Sequence, residues 1–212
     1  MIIKELFKKY RTIGLVGNPG EAKSSLVLGE LIEIKKEVSI AVYVLGAEPC
    51  LFPFLEKNGI NILESKEDIL DLKIRDSVIF IEEFGDVFDV ETQGHQLDKI
   101  KRFFNRIDHL NNFVVVSSAR GGFWNKLLDG LIKCFLVKKI DFQNLVNGTN
   151  LKRKIKGIID NTSDYRLDIP KNTFYVITDE EIVKKMTFEY NKNLDSKKEN
   201  VNPFTKEDRG KK

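Results

Sequence analysis

The chain has 212 residues, which suits one α/β domain with an extension better than two full domains. It is 42% hydrophobic and 32% charged, enough apolar side chains for a substantial core and enough charge for a soluble protein. A net charge of +3 excludes a uniformly basic nucleic-acid-binding chain, and no apolar run approaches the roughly 20 residues of a membrane-spanning helix.

The opening "MIIKELFKKY" sets charge on both sides of its few apolar residues and lacks the layout of a cleavable signal, so a cytoplasmic protein is expected. "TIGLV" from Thr12 reads as a buried strand. "KSSLVLGELIEIKK" reads as a helix with an apolar stripe through Leu26, Leu28, Leu31 and Ile32. "SIAVYVL" from Ser39 is a second strand, "LFPFLEKNG" a short helix or turn, "INIL" a short strand and "KEDILDL" a short helix.

"SVIFIEE" from Ser77 is a buried strand ending in two carboxylates, and "LDKIKRFFNRIDHL" an amphipathic helix. "NFVVVSSAR" from Asn112 is another strand, "GFWNKLLDGL" a helix, and "IKCFLVKKI" from Ile132 a further strand. Alternating strands and helices, with nearly continuous apolar strands, predict a mostly parallel sheet with helices on both faces. After Ile140 the pattern changes: "DFQNLVNGTNLKRKIKG" is polar and ambiguous, "NTFYVIT" from Asn172 is a strand, and "DEEIVKKM" reads as a short helix.

Cys50 and Cys134 lie far apart without metal-type spacing and read as reduced thiols, Cys134 in the core. His95 and His109 form no cluster, so no zinc site is expected. The basic runs "KIKRFFNR" and "LKRKIKG" read first as solvated helix faces and second as DNA contacts.

The chemistry is concentrated in "GLVGNPGEAKSSL". Gly17-Asn18-Pro19-Gly20-Glu21-Ala22-Lys23-Ser24, with Ser25 following, fits the phosphate-loop pattern G-x-x-x-x-G-K-[ST] except at Ala22, and it sits between a strand and a helix. Loop N–H groups and the helix N-terminus would face phosphate oxygens. Lys23 would neutralise the β- and γ-phosphates of ATP, and Ser24 would place its hydroxyl on Mg²⁺. Ala22 is expected to have the negative φ of a helix entrance, where a methyl group does not clash. The same loop form resembles that of some AAA+ ATPases, such as the MoxR-like group.

"VIFIEE" delivers Glu82 and Glu83 to the carboxyl end of a strand, the edge where open α/β sheets bind ligands. Side chains alternate across a strand, so the two acids can take different tasks. Glu82 is the candidate for the Mg²⁺ shell and Glu83 the candidate general base.

The phosphate loop, the acidic strand, the helix "LDKIKRFFNRIDHLNN" and "FVVVSSARGGFWNKLLDGLIKCFLVKKI" together resemble the FtsK–HerA branch of P-loop ATPases. Within it they are similar to the compact genome-packaging ATPases of tailless archaeal and bacterial viruses. The resemblance covers about Ile13 to Ile140 and implies a three-layer P-loop NTPase, RecA/FtsK-like, with a mostly parallel central sheet. The domain would span residues 1–189, with a core over 12–140, an extension over 141–189 and a polar, lysine-rich tail over 190–212 that is expected to be disordered.

The resemblance further implies an Mg²⁺-dependent ATPase acting as a homo-oligomeric ring, often a hexamer, that translocates or packages double-stranded DNA without sequence preference. A capsid or other assembly protein would be its partner, and the host cytoplasm or the virion its location. An arginine on the helix after the acidic strand would reach a neighbouring subunit's nucleotide, and Arg102 and Arg106 match that place. Ser118 stands where the family carries a polar sensor, commonly Gln, and Arg120 follows as a sensor, finger or DNA contact. Zot-like assembly or secretion ATPases have a similar layout. A nucleotide-dependent switch and a small-molecule kinase remain further readings.

Overall fold

Short runs of apolar, largely β-branched residues build the centre of the sheet. The computed structural model describes residues 1–88, 95–118, 130–141, 149–159, 166–167, 169–180, 183–188 and 194. Strands β1 (Thr12–Val16), β2 (Ala41–Leu45), β3 (Asn61–Leu63), β4 (Ser77–Ile81), β5 (Phe113–Ser118) and β6 (Cys134–Val137) are mutually parallel. Strands β9 (Thr173–Thr178) and β10 (Val183–Thr187) extend the sheet antiparallel, giving the order β10-β9-β6-β1-β5-β4-β2-β3. The pair β7 (Ile140–Asp141) and β8 (Arg166–Leu167) stands apart.

Alternation along the strands divides the core in two. Ile13, Leu15, Val42, Val44, Phe80 and Val115 face α1 (Ile2–Phe7), α2 (Lys23–Glu37) and α3 (Phe52–Lys57). On the other face, Ile79, Ile81, Val114, Val116 and Phe135 meet α4 (Glu67–Leu70), α5 (Phe84–Phe88), α6 (His95–Arg106) and α7 (Asn150–Ile159). Every residue of β4 is buried, as a central strand with both faces covered requires. The result is the expected three-layer α/β architecture around a mostly parallel sheet.

Most elements fall where the sequence pattern puts them. The helix expected over "GFWNKLLDGL" lies largely outside the described residues. "IKCFLVKKI" divides into β6 and β7 rather than running as one strand, because the chain bends at Lys139 and β7 pairs with β8 outside the main sheet. The helix expected over "DEEIVKKM" is not formed. Asp179 and Glu180 make a turn, and Val183–Thr187 pairs with β9, Val183 opposite Ile177 and Thr187 opposite Thr173. A segment this short gains little as a helix, whereas the free edge of β9 offers backbone partners for all five residues. Leu194, from the stretch beyond residue 190, is buried against α2. Among the described residues, no helix is long and apolar enough to cross a membrane.

Candidate functional site

β1 ends at Val16 and releases the chain into the loop Gly17–Ala22, which re-enters order as α2. Gly17 is buried, and a Cβ there would stand 2.5 Å from Cβ of Lys138, so the position accepts only glycine. Gly20 takes φ +77°, a left-handed conformation that costs glycine nothing. Ala22 takes φ +58°, ψ +31°, which corrects the expectation of a helical φ. It is the N-cap of α2, a position that stands outside the helical φ/ψ region, and here it reverses the chain out of the loop. No side chain caps α2, so its first-turn N–H groups remain available to an anion.

Lys23 is buried, and its ammonium donates to the carbonyls of Gly17 at 3.1 Å and Asn18 at 3.2 Å. Its Nζ also lies 3.7 Å from Glu83 Oε1. Burial pushes its pKa below the usual lysine range, against the opposing pull of the Glu83 and Glu82 carboxylates. Asn18 and Glu21 are half-buried and Pro19 is exposed at the loop's crown. The Asn18 N–H donates to the Lys139 carbonyl at 2.8 Å, tying the loop to the end of β6.

The acids follow β4 directly. Glu82 shares the α2 face with Val78 and Phe80, and it accepts a hydrogen bond from the Ser24 hydroxyl through Oε1. Its Oε2 is buried without a hydrogen-bond partner. Burial is the main cause of a pKa pushed up to about 7, opposed by the Ser24 hydroxyl and raised further by Glu83. A hydroxyl beside a carboxylate with a spare oxygen is a hard-oxygen donor set that suits Mg²⁺. Among the described residues, no group of three or more His, Cys, Asp and Glu side chains could hold a metal unaided. The protein would therefore supply part of the shell, as Mg²⁺ bound together with substrate phosphates requires.

Glu83 turns out of the strand with φ +46°, and its N–H donates to the Ser117 hydroxyl at 3.1 Å. Left-handed backbone at a non-glycine residue is costly and clusters at functional sites. Ser117 thus makes a strand-end contact with the acidic turn, next to Ser118, the sensor expected from the sequence. Ser118 is buried opposite Val16, and alternation places it on the far face with Val114 and Val116.

The Ser25 hydroxyl, beside the expected phosphate contacts, donates to the Leu194 carbonyl at 2.9 Å. Arg102 and Arg106 are exposed on α6, whose Ile100, Phe103 and Phe104 pack into the core. Arg120 lies outside the described residues.

The solved structures similar to this chain share its fold. The genome packaging NTPase B204 from Sulfolobus turreted icosahedral virus 2, in complex with ATP-gammaS, matches with TM-score 0.62 and 11% identity over 83% of this chain and 96% of that one. The chain has the fold of the P-loop ATPases. EssC (ATPases 2 and 3) from Geobacillus thermodenitrificans matches at TM-score 0.58 and 13% identity, over 87% of this chain and 40% of that one. The cytoplasmic domain of the Thermomonospora curvata Type VII Secretion ATPase EccC matches at 0.59 and 10%, over 87% and 24%. No family model matches the sequence, and no curated protein sequence does either. The likeness to genome-packaging ATPases drawn from the sequence is therefore met by structures of that kind.

Within this P-loop fold, sequence reasoning passed over Lys138. It reads as one more lysine at a strand end, and only the pairing of β6 with β1 brings it beneath the phosphate loop.

Proposed function

We propose that the chain is an Mg²⁺-dependent ATPase that works as a homo-oligomeric ring and moves or packages double-stranded DNA. The observation that carries the ATPase reading is the convergence of Ser24 with Glu82 and of Lys23 with Glu83 at one loop. Phosphate oxygens would replace the Gly17 and Asn18 carbonyls as partners of Lys23 and take up the N–H groups of the loop and of α2. Ser24 and Glu82 would hold Mg²⁺, which when bound neutralises charge on the β- and γ-phosphates. Glu83 would orient the attacking water and accept its proton, while Lys23 holds the developing negative charge on the γ-phosphoryl oxygens.

An arginine from a neighbouring subunit would complete the site. Arg102 and Arg106 stand exposed on α6, as a side chain serving a neighbouring subunit must. DNA phosphates would meet exposed basic residues such as Arg153 and Lys156 on α7. A second reading, an assembly or secretion ATPase, is supported by the similarity to EssC and EccC.

The test is steady-state ATP hydrolysis with and without double-stranded DNA, beside Lys23→Ala and Glu83→Gln. DNA-stimulated turnover abolished by both substitutions is expected. Turnover indifferent to DNA favours the secretion or assembly reading. ATP binding without turnover from assembled rings overturns both.

A further inference from the structure

Lys138 follows β6 at the point where that strand passes under the phosphate loop. Its N–H donates to the Val16 carbonyl at 2.8 Å, and its Cβ fills the space that Gly17 leaves open. The side chain is fully buried, at 0% exposure. Its ammonium donates to the Lys171 carbonyl, just before β9, and stands 4.8 Å from the centre of the Phe188 ring, just after β10. Among the described residues, no carboxylate lies within ion-pair distance of it.

With one carbonyl and one ring face for company among the described residues, a buried ammonium is costly, and a methionine would fill the same space without that cost. Among the described residues, the charges that act on it are Glu21 of the loop, Lys23 at the head of α2, and Lys171. Two of the three are cations. The missing partner of Lys138 is an anion, and the adjoining loop is the one built to receive anions.

We propose that Lys138 is a second cation of the phosphate site, which acts through space on a bound polyphosphate and is itself stabilised by its arrival. This rests on the nucleotide-binding reading above. Lys138 is a positioning and charge-balancing residue, not a ligand: its ammonium is held by the strands of the C-terminal extension, so it also links β9 and β10 to the state of the loop. At an effective dielectric of about 20, a unit charge about 10 Å from a phosphate is worth on the order of tenfold in affinity.

The test is binding of AMP, ADP and the ATP analogue AMPPCP, by calorimetry and by thermal shift, to wild type, Lys138→Met and Lys138→Gln. The glutamine removes the charge while keeping an N–H donor, on a side chain one atom shorter that also carries an amide oxygen. Both variants are expected to lose about tenfold in affinity for AMPPCP, less for ADP and least for AMP, while their unliganded Tm is no lower than that of wild type. Unchanged affinities overturn the proposal, and so does an unliganded Tm that falls in both variants, because the lysine is then structural. A wild-type protein that binds none of the three nucleotides overturns the ATPase reading and this one with it. Wild-type binding matched by both variants overturns this one alone.

Discussion

The backbone N–H of Glu83 donates to the Ser117 hydroxyl at 3.1 Å, and this bond holds Glu83 in a left-handed conformation at φ +46°. Without it the backbone is free to relax toward the extended region and carry the carboxylate away from Lys23. Ser117→Ala is therefore expected to lower kcat about tenfold with little change in KM for ATP, and to cost about 1 kcal/mol of stability. Ser117→Thr, which keeps the hydroxyl, is expected to retain most of the activity. Equal kcat values in Ser117→Ala and wild type would remove Ser117 from this role.

Glu82 is buried with one oxygen unpartnered and a pKa raised to about 7 from 4.5. A raised carboxyl pKa means that the folded state holds the proton more tightly than the unfolded state. Its ionisation thus lowers stability as pH rises from about 4.5 to about 7, and the penalty is complete above pH 7. Glu82→Gln is expected to be no less stable than wild type at pH 8 in the absence of ligand, with the difference narrowing toward pH 4.5. The same variant is expected to lose the extra thermal stabilisation that MgCl₂ adds to ADP. Thermal melts at both pH values, with MgCl₂ or EDTA, check both statements.

Ala22 holds φ +58°, where an L side chain is strained by roughly 1–2 kcal/mol. Ala22→Gly relieves that strain and gives back part of it as unfolded-chain entropy, about 0.4–1 kcal/mol. The net expectation is a gain of about 0.5–1 kcal/mol, read as a rise in Tm of roughly 1–4 °C for a chain of this size. Nucleotide binding should survive. A Tm lower than that of wild type would show that the methyl group makes contacts worth more than the strain.

Burial lowers the Lys138 pKa to about 8 from 10.5. Here the folded state gives up the proton more readily than the unfolded state, so stability rises as pH climbs from about 8 toward 10.5 and is flat below. Between pH 8 and pH 9 the gain is at most about 1 kcal/mol. Cys134, whose pKa is raised by burial, opposes it only above pH 9. The Tm difference between wild type and Lys138→Met is expected to shrink over this one pH unit, and a constant difference would show that the buried lysine keeps its proton throughout, its pKa not lowered into this range.

The loop between β1 and α2 and the strand leading into Glu82 and Glu83 were legible because each is a short contiguous string. The central parallel strands β1, β4, β5 and β6 were legible because each is buried along nearly its whole length and so is apolar. What escaped depends on pieces brought together from afar. β10 is a strand only because β9 has a free edge beside it. Ser117 rather than Ser118 meets Glu83 because the face of β5 is set by the register with β1. Lys138 acquires its place from a parallel pairing with β1, and no local pattern distinguishes it from Lys139. The left-handed turn at Ala22 was hidden because alanine gives no sign of positive φ, where glycine would have given one.

The ends of the sheet bear on how copies of the chain can meet. One end is β10, with Lys184 and Lys185 exposed along it, and the other is the three-residue β3. Paired lysines on one rim and a rim too short to template a partner on the other both discourage continuation of the sheet from one molecule into the next. Among the described surfaces this leaves helix faces and loops to join the proposed ring, contacts that can slide and re-form during a cycle, where a shared backbone ladder would lock the subunits together.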